Sequence, residues 1–96
     1  MQKKVNASLQ VIPLNTEHSY AIVDRAIAKI QASGLPYLVG PFSTSVEGEL
    51  KAIMLLLEQL RDVCFENGAE ELLLNVQIHF KRDADVTTEE KVSKFL

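Results

Sequence analysis

The stretch GPFSTSVEGEL, residues 40–50, places an aromatic ring, three hydroxyls and two carboxylates within eleven residues. Such groups can hold a polar ligand: the oxygens exchange hydrogen bonds and Phe42 offers a flat apolar wall. The same residues could also simply join two strands and begin a helix. Covalent and metal chemistry have less to stand on. Ser8, Ser43 and Ser45 have no histidine partner visible in the sequence to activate them. The two histidines, His18 and His79, do not stand at metal-ligand spacing from a cysteine or a carboxylate cluster. Cys64 is the only cysteine, which rules out an intrachain disulfide. It lies in an apolar helical run and reads as a small buried hydrophobe. No glycine-rich phosphate loop is present, so neither a cofactor nor an enzyme is expected.

The elements that must position these residues follow from periodicity. Residues 4–14, KVNASLQVIPL, alternate, with Val5, Ala7, Leu9 and Val11 on one side and Asn6, Ser8, Gln10 and Ile12 on the other. This is a half-buried strand, which Pro13 is expected to end. Over residues 19–33, Val23, Ala26, Ile27 and Ile30 recur at helical spacing, and Gly34 follows as a C-terminal stop. Residues 36–43 and 44–48 read as two short strands. Pro36 and Pro41 remove ladder donors from the first of them and assign it to a sheet edge, with a bend at Gly40-Pro41. Residues 49–66 form the longest helix, with a stripe of Ile53, Leu56, Leu57, Leu60 and Cys64 that Met54, Leu55 and Phe65 widen. That width suits either a broad core face or a subunit contact. Glu49 stands where the helix dipole favours an acid.

Residues 70–80, EELLLNVQIHF, alternate again: Leu72, Leu74, Val76, Ile78 and Phe80 oppose Leu73, Asn75, Gln77 and His79. A short final helix begins at a Thr87–Glu90 capping box. The order strand-helix-strand-strand-helix-strand predicts a ferredoxin-like βαββαβ sandwich of the α+β class. Its antiparallel four-stranded sheet carries two helices on one face, and the short C-terminal helix is added. The proline-bearing strand lies at an edge, and the first and third strands are central. Ser8, Gln10, Ile12, Leu73, Asn75, Gln77 and His79 then occupy the face the helices leave open.

Composition bounds what that face can meet. The 96 residues suit one domain, spanning 1–96, and 47% are apolar, enough for a small core that oligomerisation would supplement. Net charge is -3, with acids and bases mixed, so the basic footprint of a nucleic-acid or anionic-lipid binder is missing. An RNA-binding sheet would stack bases on central aromatics, where this chain presents Ser8, Gln10, Asn75 and Gln77. A neutral or cationic ligand fits the charge better than a phosphate polymer. No stretch has the form of a secretory signal or reaches the length of a membrane span. The expected location is cytoplasmic.

Taken together, SLQVIPL, YAIVDRAIAKIQASG, YLVGPFSTSVEGE and EEKVSKFL resemble the small thiamine-binding proteins over residues 5–95. The GP-x-x-T-x-x-EGE pattern is the most specific part. The resemblance implies a ferredoxin-like fold, homo-oligomers (dimers or tetramers), and non-catalytic binding of thiamine or its aminopyrimidine portion by a carrier, buffer or sensor. It points first to Glu47 for the exocyclic amine or a protonated ring nitrogen, and to Thr44 for a ring nitrogen. Ser43 or Ser45 could replace Thr44, Phe42 could stack, and Gln10 and Asn75 could complete the polar contacts. If strand alternation holds, Ser43, Ser45 and Glu47 share a face opposite Thr44. Thr44 and Glu47 converge only if Gly48 or a bulge disturbs the pleat. The competing reading is a structural or regulatory homo-oligomer that has no small-molecule ligand and uses the open sheet for assembly.

Overall fold

The computed structural model describes residues 3–96. Strand β1 (Lys4–Leu14) leads to helix α1 (Ser19–Ala32) and the short strand β2 (Tyr37–Val39). Strand β3 (Thr44–Glu49), helix α2 (Leu50–Glu66) and strand β4 (Glu71–His79) follow. Helix α3 (Thr88–Val92) continues into a single 3-10 turn, Ser93–Phe95. The four strands pair antiparallel in the order β2-β3-β1-β4, the expected ferredoxin-like arrangement with β2 at an edge.

Both long helices cover one face of this sheet. Their buried residues, Ile22, Ala26 and Ile30 from α1 and Ile53, Leu56, Leu60 and Cys64 from α2, meet Val5, Ala7 and Leu9 of β1 and Val46 of β3. Each fully buried Ile or Leu in this layer contributes about 1.5–3 kcal/mol by leaving water. The α2 stripe is the one its spacing predicts. On α1 the buried stripe is rotated by one position: Ile22 takes the place assigned to Val23, and Val23 and Ile27 flank it half-buried.

Two strand expectations are corrected. Pro13 does not end β1, which continues to Leu14 with Pro13 opposite Leu72. Pairing with β3 stops at Leu9, so one side of β1 is unpartnered there and a residue without an N–H is tolerated. In β4, Leu72 and Ile78 pack against the core, whereas Val76 is more than a third exposed and Phe80 lies beyond the strand. β4 is the sheet's outer strand, at the limit of what two helices can cover.

The β2–β3 connection is a tight turn in which the Gly40 N–H donates to the Ser43 carbonyl at 2.9 Å. A Cβ on Gly40 would stand 2.9 Å from that same oxygen, so the turn admits only glycine without adjustment. Phe42 and Ser43 belong to this turn and not to a strand. Gly34 takes φ +82 just past α1, as a helix stop requires. The tail docks through residues 85–86: Asp85 Oδ1 accepts from the Lys4 N–H at 2.8 Å, and the Val86 N–H donates to the Lys4 carbonyl at 3.1 Å. Val86 itself is fully buried. No helix among the described residues is long and apolar enough to cross a membrane.

Candidate functional site

The register arranges the open face in rows. Asn6 of β1 stands between Glu47 of β3 and His79 of β4. Ser8 stands between Ser45 and Gln77, Gln10 beside Asn75, and Ile12 beside Leu73. Successive rows lie about 7 Å apart, two residues along an extended strand. The face thus grades from charged, through hydroxyl and amide, to apolar.

Two adjoining grooves follow these rows and share Ser8 and Gln77. The groove toward the turn, about 280 Å³, is lined by Phe42, Ser43, Gln10 and Asn75. Phe42 is 84% exposed, so its ring is available and is not part of the core. Asn75 Nδ2 donates to Gln10 Oε1 at 3.0 Å. That bond fixes the two amides relative to each other and leaves Asn75 Oδ1 to accept and Gln10 Nε2 to donate. The groove toward the tail, about 490 Å³, is lined by Asn6, Ser45, His79 and Lys91. Both volumes are near the range of small-molecule sites, although each groove is open to solvent along its length.

Helix α3 closes the charged end. Thr87 and Glu90 form the expected capping box, and Glu90 also holds Lys81 at 2.7 Å. The Lys81 bond and the Thr87 N–H together draw the Glu90 carboxyl below its ordinary range. Asn6, only 7% exposed, ties α3 to the sheet: its Nδ2 donates to Thr88 Oγ1 at 3.0 Å, and its Oδ1 accepts from Lys91 Nζ at 2.8 Å. Glu47 Oε1 accepts from the Thr88 N–H at 3.1 Å.

The structure therefore brings together five of the residues singled out in the sequence, Gln10, Phe42, Ser43, Ser45 and Asn75, with Glu47 next along the same face. It separates Thr44 from Gln10, Ser45, Glu47 and Asn75, although Phe42 and Ser43, at the turn, border the helix-side cleft that holds Thr44 as well. The β1–β3 register is continuous from Lys4↔Glu49 to Leu9↔Thr44, so no bulge turns the pleat and Thr44 and Glu47 point to opposite faces. Thr44 is 5% exposed and lines an apolar cleft with Val23, Ile27 and Pro41 on the helix side. The expectation that Thr44 and Glu47 converge on one ligand is corrected accordingly. Lys91 and Asn6 were not singled out. Asn6 shares the alternation of the other open-face residues, but where α3 docks is tertiary information that no local pattern carries. Among the described residues no group of three His, Cys, Asp or Glu side chains could hold a metal ion.

Comparison with known proteins adds a family. The model for the thiamine-binding protein family matches residues 7–96. A UPF0045 protein of Clostridium perfringens is 33% identical over 91 residues, covering 94% of this chain and 95% of that one. A Bacillus cereus structure described as a domain of unknown function, DUF77, superposes with TM-score 0.93 at 36% identity, covering 100% of this chain and 93% of that one. A Thermotoga maritima structure, described as a candidate thiamine biosynthesis/salvage protein, superposes with TM-score 0.87 at 38% identity over 97% and 99% of the two chains.

Proposed function

Since this chain belongs to the thiamine-binding protein family, we propose that it binds thiamine, or its aminopyrimidine portion, without catalysis along the open face of its sheet. The observation that carries this reading is the fixed amide pair in the groove that Phe42 also lines. An aminopyrimidine edge sets an exocyclic N–H donor beside a ring-nitrogen acceptor. Asn75 Oδ1 and Gln10 Nε2 offer the complementary acceptor and donor. Phe42 lies along the same groove and covers the ring face. Ser43 and Ser45 add hydroxyls. Glu47, two residues beyond Ser45 on the same face, supplies negative charge for the thiazolium cation that follows the pyrimidine.

The grooves are shallow, and the sheet's β4 edge has no partner strand among the described residues. Leu73 and Val76 are exposed on β4, as are Met54 and Leu55 on α2. A homo-oligomer, as a dimer or a dimer of dimers, is part of the proposal, because further copies would bury these surfaces. The role is that of a cytoplasmic carrier, buffer or sensor.

Thermal unfolding with thiamine and with its aminopyrimidine fragment tests the reading. A ligand that binds only the folded state raises the midpoint as its concentration rises. Both compounds should do so with the wild type, and neither with Asn75→Leu. The same exposed surfaces support a second reading, an assembly module with no ligand. That reading predicts a stable oligomer whose midpoint neither compound moves.

A further inference from the structure

The end of the trough beneath α3 carries a chemistry that neither pyrimidine nor thiazolium recognition uses. Lys91 Nζ spends one N–H on Asn6 Oδ1, and an ammonium has others to give. The bond holds that charge over the sheet, because Asn6 is buried and its own amide is fixed on Thr88 Oγ1. The groove in front of it is lined also by His79, Ser8 and Ser45. Among the described residues its charged and titratable lining is Lys91 and His79, with no carboxylate.

Glu47, across Asn6 from His79, lies outside the groove lining and receives the Thr88 N–H. Glu90 is paired with Lys81, and Asp85 takes the Lys4 N–H. An ammonium, an imidazole and two hydroxyls converging on one groove make a donor set for anionic oxygens. On an acidic chain this is a local inversion of charge.

Distance links the two ends. Gln10 and Asn6 are four residues apart on one face of β1, or roughly 14 Å at the usual strand rise. A pyrimidine joined through a thiazolium and a two-carbon arm to a phosphate extends over a comparable length. We propose that the Lys91–His79 end is a subsite for a phosphate ester, so that the preferred ligand is a phosphorylated form of thiamine lying along the trough. This rests on the pyrimidine reading above, and it specifies which form of that ligand is bound.

Calorimetric titration of the full chain with thiamine, thiamine monophosphate and inorganic phosphate tests the subsite. The wild type should favour the monophosphate over thiamine roughly tenfold or more, the worth of one charge-assisted hydrogen bond. The ratio should fall toward one in Lys91→Gln and persist in Lys91→Arg, which keeps the charge. Equal wild-type affinity for the two compounds would overturn the phosphate subsite and leave the pyrimidine reading standing. So would a preference that Lys91→Gln leaves unchanged. Binding of neither compound would overturn both readings. Inorganic phosphate binding as tightly as the ester would overturn the claim that the two ends serve one ligand.

Discussion

Replacing Asn6 with alanine tests how the tail is held over the sheet. The side chain makes three contacts. The bond from its Nδ2 to the Val46 carbonyl is long, at 3.4 Å, and contributes little. The bond to Thr88 Oγ1 at 3.0 Å is an ordinary neutral one, worth about 1 kcal/mol net. The bond from Lys91 Nζ at 2.8 Å is charge-assisted and would be worth about 1.5–3 kcal/mol where partly buried. Lys91 regains water when released, which puts that bond at the lower end. The loss should total about 2.5 kcal/mol, a fall of about 10–20 °C in Tm for a domain of this size.

The location of the loss is as telling as its size. Val86 is buried and pinned to Lys4 independently of Asn6, so residues 85–86 should stay docked while the chain from Thr87 onward is released. Amide hydrogen exchange reads this directly. The Thr88 N–H, donated to Glu47 in the native state, should lose protection, and the Val86 N–H should keep it. A Tm within about 2 °C of wild type would refute the assignment of Asn6 as the tether. Continued protection of the Thr88 N–H would do the same.

Other perturbations separate the remaining roles. Glu47→Gln can still accept from Thr88, so the fold should persist while affinity falls more for cationic thiamine than for the neutral aminopyrimidine; calorimetry with both compounds measures the difference. Thr44→Val, on the opposite face, should leave the ligand-induced rise in Tm intact. Leu60→Ala, at a fully buried position of α2, should cost about 2–5 kcal/mol in denaturant unfolding. Cys64 is fully buried, and burial raises its thiol pKa, so a thiol reagent should label it only after unfolding. Glu90 has its pKa lowered by Lys81 and Thr87, so its stabilising contribution is present above the ordinary value of 4.5 and is lost as pH falls below it. Its carboxyl should therefore titrate below 4.5 by NMR, with α3 loosening as it does.

The sequence made the layers legible wherever one period dominated. Alternation in residues 4–12 and 71–79 named the open face nearly residue by residue, because a continuous pleat leaves no freedom about which side a residue takes. The α2 stripe was equally plain. Position along α1 was less so: Ile22, Val23, Ala26, Ile27 and Ile30 fit two adjacent stripes, and packing against the sheet selects the one that begins at Ile22. Pro13 misled because its penalty depends on whether the neighbouring strand reaches it, and β3 stops short. The charged end of the trough was illegible for a similar reason. The capping box says where α3 starts, but it says nothing of which surface α3 meets, and Lys91 gains its place only through Asn6.

Residues 40–50 can now be divided by what each position does. Gly40 makes the turn, and Thr44 and Val46 face the helix layer. Glu47 receives the Thr88 N–H, which ties β3 to the tail. A Cβ on Gly48 would stand 3.0 Å from Leu35 Cδ2, so that glycine permits the approach of the loop after α1. Glu49 occupies the N-cap of α2. Most of the stretch that first suggested a ligand therefore builds the scaffold, and only Phe42, Ser43 and Ser45 reach the two grooves. In the proposed reading, recognition falls largely to the paired strands β1 and β4, where Gln10 and Asn75 are held by a hydrogen bond between neighbouring strands. Side chains seated on a sheet keep their geometry better than side chains on a loop. A fixed amide pair can choose one heterocycle edge over another.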